Sequence, residues 1–339
     1  MNYLDLFSGI GGFHQGLLEA GFQFDWVGHS EIDKYANQIY EKHFSESEAL
    51  GDVKAINPSK LPKINIITFG FPCQDLSVAG QRKGLRGERS GLFFEAVRII
   101  RASTPEIFIF ENVEGLLTSD NRKAFIQVLG EIADLGLYEC EWQLLNTSWF
   151  LPQNRERVYF IGHLRGASRP KVFPIAENDF GFDERTNETT NIRSLCGGGH
   201  SGGHHSGMSL LKIGVINKDA QGQRVYSPEG NSCQLTAQGG GWGAKTGLYA
   251  VLIPDREKKR QNGRRMKNDV EPAFTLTGQD IHGVSDGQNI RRLTPLECER
   301  LQGFPDGWTE GISDTQRYKC LGNAVSVPVV KTVGERLNR

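Results

Sequence analysis

Short apolar runs alternate with helix-patterned segments through the first half of the chain, and this alternation leaves few folds open. The runs cover residues 3–7, 24–27, 64–68, 105–110 and 157–162, each short, bounded and rich in β-branched or aromatic side chains. Between them, residues 13–20 read as a helix stopped by Gly21. Residues 91–101 read as a helix with Phe93, Val97 and Ile100 on one face, and a further helix spans about 122–135. Such a series implies a mostly parallel sheet with helices on both faces. Ligands of these sheets lie beyond the carboxyl ends of the strands, so the residues that follow each run carry the functional information.

With 339 residues the chain can form a full α/β core and a second, smaller domain. It has no 18-residue apolar run and no basic-then-apolar leader, which points to a cytoplasmic protein without membrane contact. The six cysteines, Cys73, Cys140, Cys196, Cys233, Cys298 and Cys320, form no CxxC pair, so reduced thiols fit better than a zinc site or disulfide framework. His200, His204 and His205 lie in a glycine-rich stretch without a properly spaced partner, and no metal is expected. The net charge of −1 does not announce a nucleic-acid binder, but residues 80–90 and 255–267 are locally basic and suit phosphate contacts. From 175 to 289 the chain becomes rich in Gly, Ser and Asn and reads as a separate β-rich module. Helical pattern resumes at 295–301 and 324–337.

Three strand-following motifs bear on chemistry. Phe69-Gly70-Phe71-Pro72-Cys73-Gln74 presents a cysteine on a proline-stiffened loop, and thiols are strong nucleophiles once ionised. A lone Pro-Cys would read as structural. Glu111-Asn112-Val113 after one strand and Gln153-Asn154-Arg155-Glu156-Arg157 before another belong to the same chemistry and favour a catalytic thiol. The first strand runs into Phe7-Ser8-Gly9-Ile10-Gly11-Gly12, a turn that a dinucleotide dehydrogenase would also use, yet the position of that fingerprint's last glycine holds His14. Glu31 at the end of the second strand can accept ribose hydroxyls, and Asp52 follows where an adenine could be recognised. The set fits an adenosine-bearing cofactor without a pyrophosphate.

These blocks, in this order, resemble the DNA (cytosine-5)-methyltransferases. Arg292-Leu293-Thr294-Pro295-Leu296-Glu297-Cys298, Gly303-Phe304-Pro305 and Leu321-Gly322-Asn323-Ala324-Val325 extend the match over most of the chain. The resemblance implies an α/β fold: a Rossmann-like, mostly parallel catalytic domain and a smaller β-rich target-recognition domain. The expected bounds are 1–174 plus about 309–339 for the former, 175–290 for the latter and 291–308 for a hinge. It implies S-adenosylmethionine as cofactor, contacted by Phe7, Gly9, Gly11, Gly12, Glu31, Asp52, Leu92 and Asn323. Cys73, on the loop begun by Pro72, would add to cytosine C6. Glu111 would stabilise charge at N3, Asn112 would hold the loop, Arg157 would bond the cytosine O2, and Arg155 would help position the base or thiolate region.

A thiol can reach C6 only from above the ring, so the base must leave the duplex, at a cost of roughly a few kcal/mol. By resemblance, the basic segment with Arg82, Lys83 and Arg86 closes over the flipped base. Gln221, Arg224, Thr236, Gln238, Gly239 and Gly240 fall in the recognition region, with Gln221 the first candidate to fill the vacated space. The expected partner is double-stranded DNA, bound by a monomer of prokaryotic or phage type. The first strand begins at about Tyr3, which argues for a stand-alone modification enzyme, compatible with a cognate restriction endonuclease acting on the same site without direct contact. Two other readings remain open at this point: a tRNA cytosine-5 methyltransferase, and a catalytically silent DNA-binding relative.

Overall fold

The computed structural model describes residues 1–71, 91–118, 122–166, 170–176, 272–278, 282–285 and 290–339, with the backbone of three further short strands at 212–215, 224–226 and 250–252. Seven strands form the central sheet: β1 (Asn2–Leu6), β2 (Trp26–Ser30), β3 (Glu48–Ala49), β4 (Ile66–Gly70), β5 (Ile107–Val113), β6 (Tyr138–Asn146) and β7 (Glu156–Leu164). Their spatial order is β3-β2-β1-β4-β5-β7-β6. Neighbours from β3 to β5 are parallel, whereas β7 runs antiparallel to both β5 and β6. The chain places β2 and β3 on one side of β1 and then β4 on the other. The switch point, where open α/β sheets bind ligands, therefore lies between β1 and β4.

The helices are α1 (Gly12–Glu19), α2 (Lys34–His43), α3 (Leu92–Ser103), α4 (Gly115–Thr118), α5 (Lys123–Ala133), α6 (Pro295–Gln302), α7 (Asp314–Asn323) and α8 (Val327–Leu337). Alternation along the strands sends side chains to two cores. Leu4, Leu6, Ile67, Phe69, Phe108 and Phe110 pack with Phe93, Ile100 and Val128 of α3 and α5. Tyr3, Ile66, Ile107, Ile109 and Ile161 pack on the other face with Leu17 of α1 and Val330 and Val333 of α8. Burial on both faces explains why the sequence shows continuous apolar runs.

Several elements differ from the sequence reading. β2 lies two residues later than residues 24–27, because Phe24 stacks on Tyr3 at 4.7 Å instead of entering the ladder. β6 was not anticipated: it is an edge strand in which Glu139, Glu141 and Gln143 break the apolar run. Its presence makes the β5–β7–β6 end of the sheet antiparallel. α2 and α7 were also not anticipated. α2 is started by Asp33, whose carboxylate accepts from Tyr35 N at 2.9 Å and Ala36 N at 3.3 Å.

The 175–290 region contributes β8 (Lys212–Val215) paired antiparallel with β9 (Arg224–Tyr226). It also contributes β10 (Ala250–Leu252) and β11 (His282–Ser285), joined by β12 (Ile290–Arg292) in an antiparallel trio. Within 291–308, α6 opens with a capping box between Thr294 and Glu297, and Phe304 and Trp308 are buried. Trp308 donates its indole N–H to the Ile10 carbonyl at 3.0 Å and stacks on His43 at 3.7 Å, so this stretch packs against the turn after β1.

Candidate active site

The first half of the site forms where β1 and β2 end. Phe7 and Gly9 both take left-handed backbone conformations, φ 53° and 55°. The turn aims the Gly9 N–H at Glu31 Oε2, 2.9 Å away. Glu31 Oε1 accepts from the N–H groups of Ile32 and Asp33, both at 2.8 Å. Three backbone donors thus fix this carboxylate, and its spare accepting capacity is concentrated on Oε2.

The three glycines assigned to the cofactor divide. A Cβ on Gly9 would meet nothing within 4 Å, whereas one on Gly12 would lie 2.7 Å from Val325 Cγ2 and one on Gly11 2.4 Å from Phe44 Cε2. Gly9 therefore borders open space, while Gly11 and Gly12 let protein pack on protein. Asp52 is exposed and caps a short 3-10 turn through Lys54 N at 2.9 Å. Arg98 of α3 anchors that turn by donating to the carbonyls of Val53 at 3.2 Å and Ile56 at 3.1 Å. Phe7 and Leu92 are half-buried against the core, and Asn323 is exposed at the end of α7. Sequence reasoning missed Ile32, which is 77% exposed beside Glu31. Its signal was an apolar residue directly after a strand-terminal carboxylate.

The second half lies where β4, β5 and β7 meet the same rim. Pro72 and Cys73 lie outside the described residues, as do Arg82, Lys83, Arg86, Gln221, Thr236, Gln238, Gly239, Gly240 and the 256–267 stretch; for Arg224 only the backbone, in β9, is described. The strand leading to Cys73 is β4. Gly70 pairs with Glu111 across β4 and β5, and Glu111 Oε2 lies 3.6 Å from where a Gly70 Cβ would stand. Asn112 Nδ2 donates to the Phe71 carbonyl at 3.4 Å, tying β5 to the last described residue before Pro72. Arg157 Nε lies 2.9 Å from Glu111 Oε1, with both side chains largely buried. This is an ion pair by distance, and Oε1 makes no aligned hydrogen bond.

Arg155 has different surroundings. It is buried, and its guanidinium donates through Nη1 to the carbonyls of Leu276 at 3.0 Å and Gly322 at 3.3 Å, and through Nη2 to Ala324 at 2.7 Å. Burial pushes its pKa down to about 9, with the Arg157 charge adding to the shift, and it still carries its charge at neutral pH. The base-positioning role expected for Arg155 has no counterpart in these bonds, which go to backbone. Gln153, also unassigned from sequence, is fully buried and accepts from Leu276 N at 2.8 Å. Beneath the rim, Asp5 is wholly buried, accepts from Thr68 Oγ1 at 2.8 Å, and has its pKa raised by burial to about 8. Among the described residues no cluster of His, Cys, Asp or Glu could hold a metal ion, and no helix is long and apolar enough to cross a membrane.

The family model of the C-5 cytosine-specific DNA methylases matches residues 1–339. The orphan methyltransferase M.SPRI of Bacillus phage SPR is 32% identical, over 99% of this chain and 97% of its own length. The type II methyltransferase M.HhaI of Haemophilus parahaemolyticus is 30% identical, over 100% of this chain and 95% of its own. The fold is shared with the S. pombe Dnmt2 methyltransferase, with a TM-score of 0.59 at 20% identity, covering 99% of this chain and 98% of that one. A full-length match to the family model, relatives of this identity along nearly the whole chain and a seven-stranded sheet of the shared fold agree: the chain belongs to the C-5 cytosine-specific DNA methylases.

Proposed function

We propose that this enzyme methylates C5 of a flipped-out cytosine within a short duplex DNA sequence, using S-adenosylmethionine and a transient bond between Cys73 and C6. The observation that supports it most is the rim built by Glu111, Asn112 and Arg157 around the strand end that feeds Pro72 and Cys73. The Cys73 thiolate adds to C6 and breaks the ring's aromaticity. Glu111 stabilises the negative charge that reaches N3 by giving it a proton, and Arg157 bonds the O2 oxygen. Once C5 has taken a methyl group from the cofactor, which would leave as S-adenosylhomocysteine, loss of the C5 proton to a base, such as water, restores the C5–C6 double bond, expels the thiolate and lets N3 return its proton to Glu111.

The residues after β1 and β2 fit the cofactor. Glu31 has an accepting edge, Gly9 borders open space, and Ile32 offers an exposed apolar face for an adenine. Asp52, Leu92, Phe7 and Asn323 complete the same rim in this reading, and Gly11 and Gly12 shape it from behind. S-adenosylmethionine held there supplies an electrophilic methyl group to C5. In the recognition region, Gln221 fills the space left by the extruded base, with Arg224, Thr236, Gln238, Gly239 and Gly240 beside it. Arg82, Lys83 and Arg86 lie on the segment that closes over the flipped base.

Incubation of the protein with labelled S-adenosylmethionine and either duplex DNA or tRNA tests the substrate; label on tRNA alone would overturn this reading. A duplex carrying 5-fluorocytosine should trap Cys73 covalently, since its C5 fluorine cannot leave as a proton would. Only non-covalent complex under denaturing conditions would contradict attack at C6. For Gln221→Ala, unchanged affinity for abasic and normal duplexes would remove Gln221 from its assigned role.

A further inference from the structure

Residue 276 is held at both ends of its peptide by side chains from one short stretch. Its N–H goes to Gln153 Oε1 at 2.8 Å and its carbonyl to Arg155 Nη1 at 3.0 Å. Neighbouring residues of the 272–278 segment are caught as well: Ala273 N donates to Pro152 O at 2.7 Å, and Asn154 N to Ala273 O at 2.8 Å. This segment leads toward β11 within the 175–290 region.

The same two side chains reach the turn that carries Asn323. Arg155 holds the carbonyls of Gly322 and Ala324 on either side of it. Gln153 Nε2 reaches Gln302 Oε1 at 3.3 Å, and Gln302 Nε2 donates to Leu321 O at 2.7 Å. The two backbones also touch. A Cβ on Gly322 would lie 2.2 Å from the Thr277 carbonyl carbon, and one on Gly278 would lie 3.3 Å from Asn323 Oδ1. Only a glycine at 322 permits that approach.

We infer that Arg155 is a positioning residue that couples the cofactor turn to the DNA-reading half of the molecule. Its guanidinium binds three carbonyls, one from the 272–278 segment and two flanking Asn323, and its rigid fork fixes all three together. A ligand that orders the 322–324 turn therefore orders residues 276–278 in the same step. The second ligand then meets a partner already arranged, which is positive coupling between two sites. Two sites linked in this way affect each other by the same factor, typically about 5–150-fold. The inference rests on the proposed function in placing the cofactor at Asn323 and DNA in the 175–290 region.

The test uses the full-length protein and S-adenosylhomocysteine as probe. Without DNA, S-adenosylhomocysteine should slow amide hydrogen exchange across residues 272–278 in the wild type. The slowing should vanish in Arg155→Lys, which keeps the charge and loses the fork. It should also tighten binding to a duplex carrying the methylated site by roughly 5-fold or more, and Arg155→Lys should bring that ratio near one. Unchanged exchange in the wild type, or a full ratio in Arg155→Lys, overturns the coupling. The wild-type exchange measurement decides even if the variant fails to fold. A wild type that binds neither probe nor duplex overturns the functional reading and this inference with it. One that binds both independently overturns this inference alone.

Discussion

The two halves of the rim differ in how completely the protein satisfies its own polar groups. After β1 and β2, Glu31 is saturated on one oxygen by backbone N–H groups and held on the other by Gly9. Within β5 and β7, Glu111 and Arg157 face each other at 2.9 Å, with a Glu111 oxygen that has no aligned donor among the described residues. The first half is a rigid receptor built largely from main chain. In the second, two side chains face each other without an aligned hydrogen bond, and in the proposed function they re-aim toward the reacting base. Binding and chemistry should therefore separate cleanly by mutation.

The largest effect should come from the chemical half. Cys73→Ala is expected to lower methyl transfer by about 10³-fold or more while duplex binding survives, read by label transfer beside a gel-shift titration. Glu111→Gln should lower kcat by roughly 10²–10⁴-fold and leave the KM for S-adenosylmethionine nearly unchanged. The binding half should respond in the opposite way. Glu31→Gln is expected to raise that KM by roughly 10–100-fold, the equivalent of losing charged hydrogen bonds worth about 1.5–3 kcal/mol, with a smaller change in kcat. If both carboxylates changed kcat and KM together, the contrast between the halves would be wrong.

Two smaller effects probe the frame beneath both halves. Gly12→Ala pushes a methyl against Val325 and should cost about 1–3 kcal/mol of stability, seen as a lower Tm. Asp5 predicts a pH effect. Its unfolded pKa is roughly 4, and burial raises the folded value to about 8. The folded state therefore holds more protons between these values. Its contribution to stability is fully present below about pH 4 and is lost as pH rises through about 8. Urea midpoints for Asp5→Asn should fall less than wild type between pH 5 and 8.5; parallel curves would remove Asp5 from that dependence.

The fold was legible where strands are buried on both faces, because residues 107–110 are all apolar and Ile66–Gly70 is interrupted only by Thr68. It was illegible at β6, whose polar alternation reflects an edge position that only tertiary context reveals. In the candidate site, residue type and strand-end position pointed to Glu31, and the family resemblance to Glu111 and Arg157, which the structure places 2.9 Å apart. Residue type and position did not distinguish Arg155 from Arg157, which share charge and spacing and differ only in what surrounds them. Gln153 and Ile32 carried no charge signal; the partner of Gln153 is Leu276, far away in the chain, and Ile32 stands out only by its exposure.

The reversed direction of β7 has one more outcome. Because that strand enters the sheet at the functional rim, the peptide leading into it and its first residues deliver Gln153, Arg155 and Arg157 there in steps of two, knit to β6 by Asn146. Both duties, gripping distant backbone and facing Glu111, are written in one reading frame of alternate positions. Inserting or deleting a single residue between 155 and 157 would invert which groups point where. This tripeptide should thus be far less tolerant of length changes than any other connection along that edge.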